Sequence, residues 1–531
     1  MALLRRTPPE ETPTPAPPRP APPEETPAPA PAPAARQVRA GLPDPAGIRR
    51  AARGTRPAAW SRLPRPGGVA GDGLAGLAGA ATGAAAQFLL VLLVGRHAGQ
   101  ETAGAFFAAT ALCLMTAGIL RMDAGGGLVH VLARSGPDGL GRARDHLRAA
   151  LLPTSVLSAV VAVAVCACAE AVAGAVGPAG TVRVLAVALP VVVCADILVS
   201  ATRGAGSMRP TVLLDGIVRP VGQLLAVALV LLTPLPADPA LLAAAWALPF
   251  LPVPPVAWLW LRRRLPRASG PPGPRCRPRP GPAVREPRTT LRRMRPGPAM
   301  GELWRHTWPR SAAAALQAVF QRLDVVIVAV LAGPAEAAVY TAATRFKVLG
   351  QLAGQGLARA VQPRLVRALA AGDLSEARAL YQGTTCWLVL LTWPLWIGYA
   401  ALAPWLLGLF GGGSDGTGDY ASGVPVALVL AVTMALATAC GLADVVLTAA
   451  GHARAGLVNL ACATAVTVLL DVLLVPAHGA FGAALGWAAG VLVKNALPLW
   501  RLHRLGLHPF GRGTLAACGL RPRLPRPGGD G

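Results

Sequence analysis

The sequence has few charged and few aromatic residues. Only 14% of its 531 residues are charged and 5% are aromatic, while 53% are hydrophobic and the mean hydropathy is +0.49. A soluble domain of this length could not bury so large an apolar fraction in one core. The shortage of charge therefore excludes an ordinary soluble protein and indicates one that uses the lipid bilayer as its solvent.

Acidic residues and lysine are scarcer still. There are 25 Asp and Glu against 50 Lys and Arg, which gives a net charge of +25, and lysine occurs only at Lys347 and Lys494. The positive charges lie in connectors between apolar segments, with no interleaved aromatic patch. Membrane topology and anionic lipid headgroups explain them better than nucleic acid does. No His, Cys or carboxylate group has metal-ligand spacing, so neither a metal nor another cofactor is expected.

Apolar windows about 20 residues long predict twelve membrane spans in two sets of six. The first set covers 74–94, 104–120, 149–170, 182–202, 212–233 and 240–261, and the second covers 309–332, 339–359, 384–403, 425–447, 454–475 and 480–500. Asp373 is predicted to cap a short helical segment that leads into span 9, with Glu376 at the reciprocal capping position. The fold class is thus an all-α, polytopic membrane protein.

The connectors give the orientation of these spans. Arginines collect after spans 2, 4, 6, 8 and 10, and the alternate connectors hold mainly acidic residues, with Arg96 as the exception. Because Lys and Arg accumulate on the cytoplasmic side, we expect a multi-pass protein of the plasma membrane with both termini inside. The expected organisation is a disordered Pro/Ala/Arg-rich tail at 1–66, a six-helix lobe at 67–262, a Pro/Arg-rich cytoplasmic linker at 263–300, a second lobe at 301–505 and a cytoplasmic tail at 506–531.

An internal repeat relates the two sets of spans. Sliding the sequence by 234 positions pairs Gln87 with Gln321, Ala98-Gly99 with Ala332-Gly333, Ala108-Ala109-Thr110 with Ala342-Ala343-Thr344, and Ala143-Arg144 with Ala377-Arg378. The offset covers an even number of crossings, so the two halves run through the membrane in the same direction. Such a parallel repeat has a pseudo-two-fold axis along the membrane normal.

Several stretches of the repeat resemble one transporter superfamily. They are Gly95–Phe107, Ala201–Pro210, Gln321–Val326, Gly333–Tyr340 and Asp471–Ala484. Over residues 70 to 505 the chain resembles the multidrug/oligosaccharidyl-lipid/polysaccharide (MOP) exporter superfamily, particularly its polysaccharide-export and lipid-linked-oligosaccharide flippase branch. The resemblance implies two six-helix lobes around a central cavity that opens alternately to each side.

The chain also departs from that pattern. Ala338 stands where the family often has Gly, the linker at 263–300 is long, and many lipid II flippase relatives have fourteen spans. These differences argue against the peptidoglycan precursor as the cargo.

The prominent group of ionisable residues inside predicted spans is Arg322 and Asp324 in span 7, with Arg345 and Lys347 in span 8. Each costs about 2.5 to 3.5 kcal/mol at a helix centre, so each needs a partner or a wet cavity. Asp324 and Arg345 have similar predicted depths and could pair. Arg322 and Lys347 would then leave positive charge for a diphosphate or an anionic sugar headgroup. The alternative is that Asp324 and Arg345 form only a helix-locking ion pair.

Weaker candidates for the cavity are Lys494, Gln87 and Gln321. The glutamines could instead bond between helices, which is the commoner role. Arg219 and Asp471 are expected nearer the interfaces, where a side chain can reach water.

These features favour a flippase that moves a lipid-linked oligosaccharide or polysaccharide precursor, as used in polysaccharide or lipopolysaccharide biosynthesis. A cation-coupled multidrug antiporter of the same superfamily is the alternative, but such antiporters often carry an acid in the first helix and residues 74–94 contain none. A membrane glycan polymerase or glycosyltransferase would need a catalytic loop. The longest outward connector offers only Asp415 and Asp419, so we do not expect an enzyme. Expected partners are the lipid-linked glycan, membrane lipids, a coupling cation and glycan-assembly enzymes.

Overall fold

The computed structural model describes residues 66–134, 143–174, 176–234, 238–264, 298–411, 420–504 and 506–511. These residues are almost entirely helical and contain no β-strand. The expected N-terminal tail, most of the linker at 263–300 and most of the C-terminal tail lie outside the described residues.

Six spans build the first lobe. Span 1 is Pro66–His97, span 2 is Gln100–Leu120, span 3 is Ala143–Ala167, span 4 is Ala179–Gly204, span 5 joins a π-helical Thr211–Val218 to an α-helical Arg219–Leu232, and span 6 comprises Pro239–Ala247, Leu248–Phe250 and Val253–Arg264. Short helices at Ala124–Arg134 and Ala169–Val172 follow spans 2 and 3.

Six more build the second lobe. Span 7 is Pro298–Ala332, span 8 comprises Pro334–Thr344 and Lys347–Ala371, span 9 is Leu374–Gly408, span 10 comprises Val424–Ala439 and Ala443–Ala449, and spans 11 and 12 share Ala453–Arg504. A 3₁₀ turn at Tyr420–Gly423 precedes span 10.

The number of crossings follows from two interrupted helices. Ten helices among the described residues are long and apolar enough to cross a membrane. The last of these contains 52 residues, but Gly479 in its middle is non-helical, with φ 53° and ψ −135°. It therefore crosses twice, since about 20 residues suffice for one crossing. Span 8 is broken at Arg345 and Phe346, and its two parts together make one further crossing. The prediction of about twelve spans in an all-helical membrane fold is confirmed.

The backbone repeats with the sequence. Gly99 and Gly333 occupy the turns that precede spans 2 and 8, and their φ values are 74° and 95°. Positive φ favours glycine because it has no Cβ. Span 2 begins at Gln100 and span 8 begins at Pro334. The offset of 234 positions therefore relates equivalent helix ends as well as similar residues.

Asp373 caps span 9 as predicted. Its Oδ1 accepts hydrogen bonds from the backbone N–H of Glu376 at 2.9 Å and from the Ser375 hydroxyl at 2.6 Å. No reciprocal bond from the Glu376 side chain is recorded in the described part of the chain. The capped segment is continuous with Leu374–Gly408, so it forms the start of span 9 itself.

The two lobes meet along spans 2, 7 and 8. A Cβ at Gly104 would overlap the carbonyl of Pro334, and one at Gly118 would lie 2.6 Å from the side chain of Ala318. Small residues allow neighbouring helix backbones to approach this closely in a membrane. The seam between the lobes is thus built by residues that have little or no side chain.

Contacts between the lobes also occur at both ends of the molecule. At the end away from the Arg-rich connectors the Tyr420 hydroxyl donates to the Gly95 carbonyl at 3.4 Å. At the Arg-rich end Arg310 pairs with Asp123 at 3.0 Å. Among the described residues no hydrogen bond or ion pair joins spans 4 and 5 to spans 10 and 11. Lobe contacts therefore occur at both ends of the molecule, but among the described residues they include no bond between spans 4 and 10.

Candidate functional site

The carboxylate of Asp324 is a buried charge of the second lobe that is held by two hydrogen bonds. Its Oδ2 accepts a hydrogen bond from the Tyr340 hydroxyl at 2.7 Å, and its Oδ1 accepts one from the Val325 backbone N–H at 2.9 Å. Asp324 is only 2% exposed. These bonds join span 7 to span 8 and satisfy both oxygens without a full ion pair.

Lys347 provides the nearest cation. Its Nζ lies 3.8 Å from Asp324 Oδ2, which is too long for a hydrogen bond. The same Nζ lies 5.0 Å from the ring centroid of Trp487 on span 12, a favourable cation–π distance. Lys347 is therefore a loose counterion whose donors are not used by Asp324.

Arg345 lies at the break in span 8. The break begins eleven residues after Pro334, so Arg345 lies about 16 Å along the span, close to the middle of a bilayer core about 30 Å thick. Its Nε is buried and has no hydrogen-bond partner among the described residues. A discontinuous helix at the midplane is a common location for substrate sites in transporters.

The anticipated pairing of Asp324 with Arg345 is absent from the described residues. Asp324 contacts Tyr340 and Lys347 instead. Arg345 stands at the break between Pro334–Thr344 and Lys347–Ala371, so its direction does not follow the periodicity of either helix. The prediction of a pair was wrong because similar depth in two spans does not ensure contact when one residue lies at a helix break.

Arg322 extends the charge cluster towards the first lobe. It is subject to the charges of Asp324 on its own span and of Asp196 and Arg219 in spans 4 and 5. Asp196 is itself paired with Arg121 at 3.2 Å and with Arg219 at 3.4 Å. Charged groups of both lobes therefore approach each other at the seam. Arg219, which is expected nearer the interface, takes part in this group through its ion pair with Asp196.

Asp471 lies deeper than the interfacial position that its place in the sequence predicts. It is 0% exposed, and neither carboxylate oxygen has a hydrogen-bond partner among the described residues. A Cβ at Gly486 of span 12 would overlap its Oδ1, and the charge of Asp324 acts on it. Asp471 thus does not reach water. The described residues contain no group of three or more His, Cys, Asp or Glu side chains that could hold a metal ion.

The remaining candidates lie apart from the cluster or have another role. Gln87 donates to Gln223 at 2.8 Å within the first lobe, which is the interhelical role. Gln321 is exposed. The Nζ of Lys494 lies 5.2 Å from the ring centroid of Phe320, so it is a second lysine stacked on an aromatic ring of the second lobe.

The charge cluster belongs to one lobe only. At the offset of 234 positions its four residues correspond to apolar ones: Arg322 to Phe88, Asp324 to Leu90, Arg345 to Ala111 and Lys347 to Cys113. Span 2, the counterpart of span 8, is an unbroken helix. The two lobes share a fold, but only the second carries a group of basic side chains at this position.

Comparison with known proteins identifies the fold. Residues 309–473 match the MatE family model. A comparison with curated proteins finds no match. A multidrug resistance MATE family transporter of the MOP superfamily, inward-facing, has a TM-score of 0.59 at 16% identity, with 79% of this chain and 94% of that chain covered.

Two further solved structures share the fold. The lipid II flippase MurJ, in an inward closed conformation, also has a TM-score of 0.59, at 10% identity over 79% of this chain and 86% of that one. A MOP superfamily transporter from Pyrococcus furiosus, whose binding pocket is described as reversed in polarity, has a TM-score of 0.52 at 16% identity over 82% of this chain and 94% of that one. This multi-pass membrane protein therefore carries a MatE match in its second lobe and has the fold of MOP superfamily transporters.

Proposed function

We propose that this protein is a MOP superfamily transporter that moves a lipid-linked oligosaccharide or polysaccharide precursor across the cytoplasmic membrane by alternating access. One observation carries the proposal: Arg322, Arg345 and Lys347 are each subject to the charge of Asp324, yet that carboxylate already accepts hydrogen bonds from Tyr340 and from the Val325 backbone. Because the Asp324 carboxylate is already hydrogen-bonded, it does not occupy the donors of these three bases. A buried anion would supply their missing partner.

A diphosphate suits this arrangement. Its oxygens accept several charge-assisted hydrogen bonds, and a guanidinium can donate two parallel bonds to one phosphate. Arg345 lies at a helix break near mid-membrane with a buried, unpaired Nε, and Lys347 follows two positions later. We infer that these two residues hold the phosphates and that Arg322 contributes from the lobe seam.

The orientation in this proposal rests on the arginine distribution. The Arg-rich connectors follow the even-numbered spans, and such connectors accumulate on the cytoplasmic side. Both termini would then be cytoplasmic and the cargo would enter from that side. The sugar chain would be carried outward while its lipid remained in the bilayer.

A cation-coupled multidrug antiporter is the second candidate. It is favoured by Asp471, a fully buried carboxylate with no partner among the described residues. Burial of an unpaired carboxylate is costly, so a proton or a metal cation would be expected to join it at some stage. A coupling cation at Asp471 is also compatible with the flippase, which makes the cargo the deciding question. Neither candidate function requires covalent chemistry, so we propose a transporter and not an enzyme.

Depletion of the protein in its native host tests the cargo directly. Lipid-linked glycans would be extracted after depletion, and their exposure would be measured with a membrane-impermeant glycosidase on intact and on broken cells. The proposal expects a lipid-linked glycan that accumulates in the inner leaflet and becomes sensitive only after breakage. Unchanged glycan levels together with a new drug sensitivity would support the antiporter instead.

A further inference from the structure

Spans 8 and 9 enclose a groove on the membrane-facing surface of the second lobe. It has a volume of 270 Å³ and is lined mainly by apolar side chains: Leu357 and Val361 of span 8, and Leu380, Thr384, Trp387 and Leu391 of span 9. Gly383 also lines it, and the absence of a side chain there widens the space between the helices. The groove is separate from the charge cluster, which lies nearer the break in span 8.

The position of the groove relative to the bilayer follows from span 9. The first turns of that helix, Leu374 to Thr385, are rich in polar residues, and an apolar run begins near Trp387. Trp387 is 50% exposed, and exposed tryptophans concentrate at the boundary between headgroups and acyl chains. One end of the groove therefore lies at headgroup level and the other lies among the acyl chains.

The headgroup end of the groove is basic. Arg364 follows Leu357 by seven positions and Val361 by three, so it shares their face of span 8. Arg364 is exposed, and no ion pair of this residue is recorded in the described chain. The nearby Arg367 is exposed too, and its Nε donates to a backbone carbonyl at 3.2 Å. Span 9 has two exposed acids here, Asp373 and Glu376, and one exposed base, Arg378. With Arg364 and Arg367, the basic charges outnumber the acidic ones by three to two.

We propose that this groove binds one anionic phospholipid from the Arg-rich leaflet. The phosphate lies against Arg364, and one acyl chain follows the apolar wall past Trp387. The occupant is a lipid rather than a protein segment because the groove opens onto the membrane-facing surface and runs from headgroup depth into the hydrocarbon. An anionic headgroup matches the excess of basic charge, as in other basic pockets between membrane helices on the cytoplasmic side.

Native mass spectrometry of the full-length protein in detergent tests this site. The purified protein would be titrated with phosphatidylglycerol or with phosphatidylethanolamine that has the same acyl chains. We expect one phosphatidylglycerol to be retained, with a clear preference over phosphatidylethanolamine. Arg364→Gln should weaken phosphatidylglycerol binding about fivefold, the amount expected for one basic residue near an anionic headgroup.

Arg359→Gln is the matched control. Arg359 is an exposed arginine of the same helix, but it follows Leu357 by two positions and so lies on the opposite face. Equal losses in the two variants would overturn the site, because they would indicate a general effect of surface charge. Equal binding of both lipids to the wild-type protein would overturn it as well, and that measurement needs no variant to fold.

Discussion

Replacement of Arg345 by Gln should separate transport from folding. No hydrogen bond of the Arg345 side chain is recorded among the described residues, and its Nε is buried without a partner. Its removal therefore leaves no protein group unpaired and takes a charge out of the interior. We expect the free energy of unfolding to change by less than about 1 kcal/mol. Bound cargo, in contrast, would lose a charge-assisted hydrogen bond worth about 1.5 to 3 kcal/mol, which corresponds to a 10- to 150-fold loss of affinity.

The assay has two parts, made on the same variant. Complementation of the depletion strain would report transport, read as the fraction of lipid-linked glycan that remains in the inner leaflet. Thermal unfolding of the purified protein and its abundance in the membrane would report folding. Arg345→Gln should fail the first test and pass the second.

Lys347→Gln should behave differently from Arg345→Gln. Lys347 lies 3.8 Å from Asp324 Oδ2, and its removal leaves the carboxylate with Tyr340 and a backbone N–H alone. We expect a loss of stability of about 1 to 3 kcal/mol in addition to the loss of transport.

Normal transport by Arg345→Gln would refute the reasoning. A low abundance of Arg345→Gln would refute it as well, since it would show that the residue holds the lobe together.

Three further substitutions test the contacts around this site and at the membrane edge. Tyr340→Phe removes the 2.7 Å bond to the buried Asp324 and should lower the free energy of unfolding by about 1.5 to 3 kcal/mol, measured by denaturant titration in detergent. Asp471→Asn breaks no bond among the described residues, so it should leave thermal stability intact and abolish cation-dependent transport; full transport would exclude Asp471 from coupling. The Ser375 hydroxyl and the Glu376 backbone N–H lower the pKa of Asp373, so its stabilising effect is present above the unfolded pKa of about 3.9 and is lost as pH falls through the folded pKa. Asp373→Asn caps without titrating and should therefore show no such loss in acid unfolding curves.

Much of the fold could be predicted because its signals are local. Hydropathy and the placement of arginines act residue by residue, so twelve spans and their alternation are visible without any tertiary information. The repeat could be found for the same reason. Gly99 and Gly333 each occupy a turn with positive φ, and Asp373 caps the helix that follows it. Each of these features is determined by residues within a short segment of the sequence.

The arrangement of the charges could not be predicted in the same way. The break in span 8 falls within Thr344-Arg345-Phe346, which contains neither proline nor glycine, so no local signal marks it. Because the sequence does not reveal the break, it does not show which helix faces Arg345 and Lys347 occupy. The burial of Asp471 depends on Gly486, which lies across the kink on span 12. Both facts belong to tertiary packing.

The hydrogen bonds made and not made by the charged residues near Asp324 indicate whether these residues stabilise the fold or bind a ligand. A helix-locking ion pair should bring a base and an acid into hydrogen-bond contact, because an imperfect buried pair does not repay the cost of its desolvation. Here the acid Asp324 is bonded to Tyr340 and to backbone, and its nearest base remains at 3.8 Å. The first lobe keeps the same fold with Phe88, Leu90, Ala111 and Cys113 at the equivalent positions, so the repeat does not need charge there to fold. Arg322 and Arg345 form no ion pair with the acid among the described residues, and the fold of the repeat does not require them. These two bases support the proposed ligand, and their sign favours an anion.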